Sequence, residues 1–173
     1  MTRPYSAALP IAHVFLKLLI VLNWLVGAAT IVLLIAMPNR EWIISAFGLA
    51  AGPDADRVIM GMRAIAIIGL LMLPLYHLIF IRLLAMVGTV RAGDPFVIAN
   101  ASRLQQIAWA MIGLQLAGLV ISIIVGAIST PAHPVNISAG LSTSGLLAIL
   151  LAFVLARVFA EGARMRADLE GTV

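Results

Sequence analysis

Residues 107–128, IAWAMIGLQLAGLVISIIVGAI, decide the fold. No charged side chain interrupts this run. It is long enough for the roughly 20 apolar residues that a bilayer-spanning helix needs. Apolar and polar residues do not alternate along it, as they would in a membrane β-strand. In lipid, such a run must satisfy its backbone polar groups internally, which means a helix. Three similar runs accompany it, at about residues 11–37, 64–87 and 141–160. The chain of 173 residues is 63% hydrophobic and only 10% charged. A soluble domain is typically about 25% charged and could not hide so much apolar surface. The expected fold is an all-α integral membrane four-helix bundle, with short surface helices in the loops and one domain over residues 1–173.

Lysine and arginine placement orients the bundle. One side carries eight cations: Arg3, Lys17, Arg82, Arg91, Arg103, Arg157, Arg164 and Arg166. The other carries three: Arg40, Arg57 and Arg63. Both termini are therefore expected in the cytoplasm. The net charge of +4 is mostly this topological signal and gives no reason to expect direct nucleic-acid binding. Lys17 and Arg82 lie near span ends, where long side chains snorkel to the interface. Gly27-Ala28-Ala29 offers small residues of the kind found at signal-peptide cleavage sites. The apolar run continues past them to Met37 and carries Lys17, so it reads as a retained helix.

The loops differ in character. In the first outer loop, residues 41–47 read as a short surface helix with Trp42 and Phe47 at headgroup level. Gly52-Pro53-Asp54 breaks it, with Asp54 as the expected N-cap of the next helix. In the inner loop, Gly93-Asp94-Pro95 predicts a turn, an N-cap at Asp94 and proline at the first helical position. The second outer loop contains Asn136-Ile137-Ser138, a sequon of a kind common by chance.

Within the spans, Asn23, His77 and Gln115 are the deepest polar residues. They are expected to form a mid-membrane cluster beside a kink at Pro74. Structural hydrogen bonding is the bland reading of this cluster, and a ligand or proton site is the sharper one. Small residues recur every fourth position at Gly140, Ser144, Ala148, Ala152, Ala156 and Ala160. A shorter series is Gly118, Ser122 and Gly126. Both suit close helix packing, within one bundle or between copies. Lys17, Arg82, Arg157 and Glu161 sit at the inner span ends. They read as a solvated rim, or as a latch holding the tail to the inner loop, with Glu161 pairing one of the cations.

The sequence offers little for catalysis or cofactors. There are no cysteines, so disulfides, thiolate catalysis and cysteine metal sites are excluded. His13, His77 and His133 fall at different depths, which argues against bis-histidine haem and against metal. No nucleophile–base pair, phosphate loop or paired acids appear. We expect no catalytic residues, no cofactor and no enzymatic activity.

Two cytoplasmic segments resemble a known family. Gly93-Asp94-Pro95-Phe96, Asn100, Arg103-Leu104 and Ile107 form the first. Val158-Phe159, Glu161-Gly162, Arg164-Met165, Asp168, Glu170 and Thr172-Val173 form the second, with Met165 standing where leucine is expected. Together they are similar to the DUF2975 family of small bacterial four-helix membrane proteins, which has no established activity. The resemblance implies a multi-pass protein of the bacterial inner membrane. It also implies a regulatory or sensory partnership with a small helix-turn-helix regulator of the XRE type. The expected interaction surface is Asp94, Pro95, Phe96, Asn100, Arg103, Glu161, Arg164, Asp168 and Glu170. The alternative is a small transporter or accessory subunit using Asn23, His77 and Gln115.

Overall fold

A computed structural model describes residues 8–36, 40–47, 53–129 and 140–170. These described residues form five helices: α1 (Ala8–Ala36), α2 (Arg40–Phe47), α3 (Pro53–Arg91), α4 (Ile98–Ile128) and α5 (Thr143–Glu170). No strand occurs among the described residues. All but α2 are long and apolar enough to cross a membrane, so the chain is a multi-pass membrane protein built as an all-α four-helix bundle. Successive long helices pack in order: α1 on α3, α3 on α4, and α4 on α5.

Exposure follows from lipid as the solvent. Ile11, Val32, Leu71, Ile123 and Leu150 each leave more than half their surface uncovered. A bilayer gives no reason to bury them, and helices associate there through close packing of small residues. The best-covered side chains instead lie near the two ends of the bundle. At one end α2 closes the structure: Ile43 is fully buried beside Ile59, with Leu33, Leu34 and Met62 around it. The short helix expected at residues 41–47 is therefore present. Ile43, which nothing in its local sequence singled out, anchors it. The side chains of Trp42 and Phe47 lie outside the described residues, as do Met37, His133, the sequon at Asn136 and the terminal Thr172-Val173.

α3 runs for 39 residues with Pro74 inside it. That is about 58 Å at 1.5 Å per residue, well beyond a hydrocarbon core of about 30 Å. It begins at Pro53, one residue before the expected cap Asp54, with proline at the first helical position. At the other end of α3, Gly93 takes a positive φ of 83°. Its N–H donates to the Val90 carbonyl (3.1 Å) and the Asp94 N–H donates to the Thr89 carbonyl (3.0 Å). This is a Schellman closure, which requires a left-handed residue and so favours glycine.

That closure corrects the expected start of α4. Asp94 does not cap it; the helix begins at Ile98 after Val97, which makes no side-chain capping bond. The physical reason is that the Asp94 N–H closes α3, while its carboxylate turns away toward α5.

The α4–α5 interface is antiparallel and built on small residues. Gly118 approaches the Gly140 backbone, and Gly140 in turn meets Ser122. Trp109 meets Phe153 edge-on at 5.7 Å. Ala152 and Ala156 are buried, at 7% and 8% exposure. The four-residue stripe on α5 therefore packs inside the bundle around these two alanines, while Ser144 is exposed.

Candidate functional site

The two family-like segments meet at the end of the bundle that carries the α3–α4 turn, called here the turn end. Asn100 organises the first segment. It is fully buried. Its Nδ2 donates to the Thr89 hydroxyl (2.7 Å) and the Pro95 carbonyl (2.8 Å), and its Oδ1 accepts from Arg103 (2.7 Å). The Thr89 hydroxyl donates onward to the Met86 carbonyl (2.8 Å). One side chain thus ties the last turn of α3, the loop and the first turn of α4. This corrects the placement of Asn100 on an interaction surface. An asparagine amide with three well-placed partners gains most when water is excluded, and here the side chain is fully buried.

The second segment closes over the first. Phe96 packs against Phe159, with ring centroids 5.4 Å apart. Gly162 faces the same ring so closely that a Cβ there would lie 2.9 Å from Phe96 Cδ1. Beyond them Arg166 donates to the Asp94 carboxylate. The α5 extension is therefore held against the α3–α4 loop by an aromatic seat and an ion pair. Glu161 was expected to pair with Lys17, Arg82 or Arg157. It pairs instead with Arg164, one helical turn on, at 3.6 Å. Both side chains are more than half exposed, so the pair contributes little energy. Arg166 and Thr89 are the residues that sequence reasoning missed. Arg166 read as one more orientation-setting cation, and Thr89 carries no signature beyond its distance from Asn100.

Of the remaining candidates, Phe96, Glu161, Arg164 and Asp168 present exposed surface, and Pro95 and Arg103 are partly covered. Glu170 ends α5, but its side chain lies outside the described residues. On the α5 extension, Met165 is 57% and Leu169 71% exposed.

The expected mid-membrane cluster does not assemble. Asn23 donates to the Leu73 carbonyl (3.3 Å) across the α1–α3 seam. His77 meets Trp24 edge-on at 5.5 Å, and its buried Nδ1 has no partner among the described residues. Gln115 belongs to a different seam and donates to the Ser142 carbonyl (3.0 Å) at the start of α5. There Ser142 also caps the helix, its Oγ accepting from the Gly145 N–H (3.3 Å). Gln115 is drawn away because α5 begins beside it, and the Ser142 carbonyl, which already accepts from the Leu146 N–H, has a second lone pair to offer. The groove beside Asn23, about 400 Å³, is lined almost entirely by apolar residues including Leu22, Met72 and Phe80.

No curated protein and no solved structure shows a significant match to this chain. The family model described as a protein of unknown function, DUF2975, matches residues 41–173 and so covers both segments of the turn end. The chain belongs to the DUF2975 family.

Proposed function

We propose that this chain is a non-enzymatic regulatory protein of the bacterial inner membrane. In this reading both termini are cytoplasmic, and the turn end docks a small helix-turn-helix regulator of the XRE type. The observation that carries it is the joining of the inner loop to the α5 extension through Phe96, Phe159, Gly162 and the Asp94–Arg166 pair. The extension carries charges of both signs, Glu161, Arg164, Arg166 and Asp168, beside exposed Met165 and Leu169. That mixture suits a protein partner better than a phosphate backbone, which calls for cations alone. The eight-to-three cation asymmetry supports the cytoplasmic placement.

The test is co-purification of the full chain with a co-expressed helix-turn-helix regulator of the XRE type. The variant Glu161→Ala/Arg164→Ala/Leu169→Ala should insert normally and lose the regulator. Undiminished recovery of the regulator with that variant, or none with the unaltered chain, would refute the reading.

A further inference from the structure

α3 meets α4 at positions spaced by multiples of seven: Gly61 lies against Ile128, Leu75 against Gly113, and Thr89 against Asn100. Seven residues are close to two helical turns, so these positions share one face. Arg82 falls on the same face, midway between Leu75 and Thr89. The corresponding level of α4 is occupied by Leu104 and Ile107, both buried and apolar. Arg82 is partly buried there, and its Nε is covered with no hydrogen-bond partner among the described residues.

A guanidinium with its Nε covered and unpartnered in an apolar seam favours a counter-charge beside it. The chain has seven acids: Glu41, Asp54, Asp56, Asp94, Glu161, Asp168 and Glu170. The first three belong to the α2 end of the bundle. Asp94 and Glu161 face Arg166 and Arg164. Trp109 meets Phe153, so the level of Arg82 corresponds to about residue 153 of α5. Asp168 is therefore about 22 Å further along that helix, and Glu170 further still. The counter-charge has to come from outside the chain.

Depth selects its source. Arg82 lies five residues inside the apolar run that ends at Val87, about 8 Å from its end. A guanidinium at that depth snorkels to the phosphate layer. Lys17 and Arg157 flank it near the same span ends, both exposed, with no acid between Asp94 and Glu161 in the sequence. The belt is net positive and favours a net anionic headgroup. We propose that Arg82 holds the phosphate of an anionic phospholipid in the α3–α4 seam. The planar guanidinium bonds two phosphate oxygens, and the acyl chains lie along exposed apolar neighbours such as Ile81.

The test uses the full chain purified in neutral detergent, with thermal unfolding followed during titration with phosphatidylglycerol, phosphatidylcholine or inorganic phosphate. Phosphatidylglycerol should raise the unfolding temperature, and the other two should not. Arg82→Gln should fold and lose that increment. Arg82→Lys should keep it with roughly tenfold weaker apparent affinity, since a point charge replaces a bidentate fork. Arg57→Gln, at the opposite end of α3, should keep it in full. Native mass spectrometry of Arg82→Lys and the unaltered chain gives the same comparison should Arg82→Gln fail to fold. Full stabilisation of Arg82→Gln by phosphatidylglycerol, or an equal effect of phosphatidylcholine, would overturn the proposal. An equal effect of inorganic phosphate would assign the site to a soluble anion and overturn the lipid.

Discussion

The Nδ2 of Asn100 lies 2.7 Å from the hydroxyl of Thr89, across the turn that joins α3 to α4. Asn100→Ala removes this bond and those to Pro95 and Arg103, and leaves buried polar atoms unpaired. The expected loss is about 2–4 kcal/mol, while Thr89→Val should cost about 1 kcal/mol. Unfolding in detergent checks both, and equal small losses would show that Asn100 is not the organiser of the turn.

Gly93 tests the turn from its backbone. At φ 83° a Cβ is strained whatever the space around it. Gly93→Ala should cost about 1 kcal/mol, and Gly93→Asn less, because asparagine tolerates the left-handed region. The same unfolding measurement separates the two, and a reversed order would contradict the Schellman assignment.

The tail contacts divide unequally. The Asp94–Arg166 pair is over 40% exposed on each side, so Asp94→Asn should change global stability by less than about 1 kcal/mol. Phe96→Ala removes the seat under Phe159 and Gly162 and should release the extension. Hydrogen exchange across residues 161–170 should rise strongly for Phe96→Ala and slightly for Asp94→Asn. The reverse ranking would mean that charge, and not the aromatic seat, holds the tail.

Packing of α5 has an internal control. Ala152 is buried while Val154 is 50% exposed. Ala152→Leu should destabilise by about 1–3 kcal/mol through overpacking, whereas Val154→Leu should be near neutral because it faces lipid. Thermal unfolding with size measurement is the check. Two neutral variants would place the stripe in lipid, and loss of a dimer alone would make it a face between copies.

The helices were legible because lipid allows few alternatives: apolar runs of this length must be helical and must span. The turn end was legible as residues but not as geometry. Gly93-Asp94-Pro95 carries the signals of both a helix end and a helix start. The start reading failed because the Asp94 N–H closes α3 and its carboxylate meets Arg166. Depth counted along the sequence put Gln115 with Asn23 and His77. The level at which α5 begins is a tertiary fact, and it sent Gln115 to Ser142. Ile43 became a core residue only once α2 folded onto α3.

The union of the α3–α4 loop with the α5 extension is tested most directly by cross-linking in native membranes. The chain has no cysteine, so introduced thiols are the only ones present. The double variant Asp94→Cys/Arg166→Cys, treated with a short thiol cross-linker, should give an intramolecular product in high yield. The pair Arg57→Cys/Arg166→Cys, at opposite ends of the bundle, should give none. Efficient linkage of the first pair alone is the predicted result. Absence of that product, with both thiols shown to be reactive, would contradict a single surface built from the two segments.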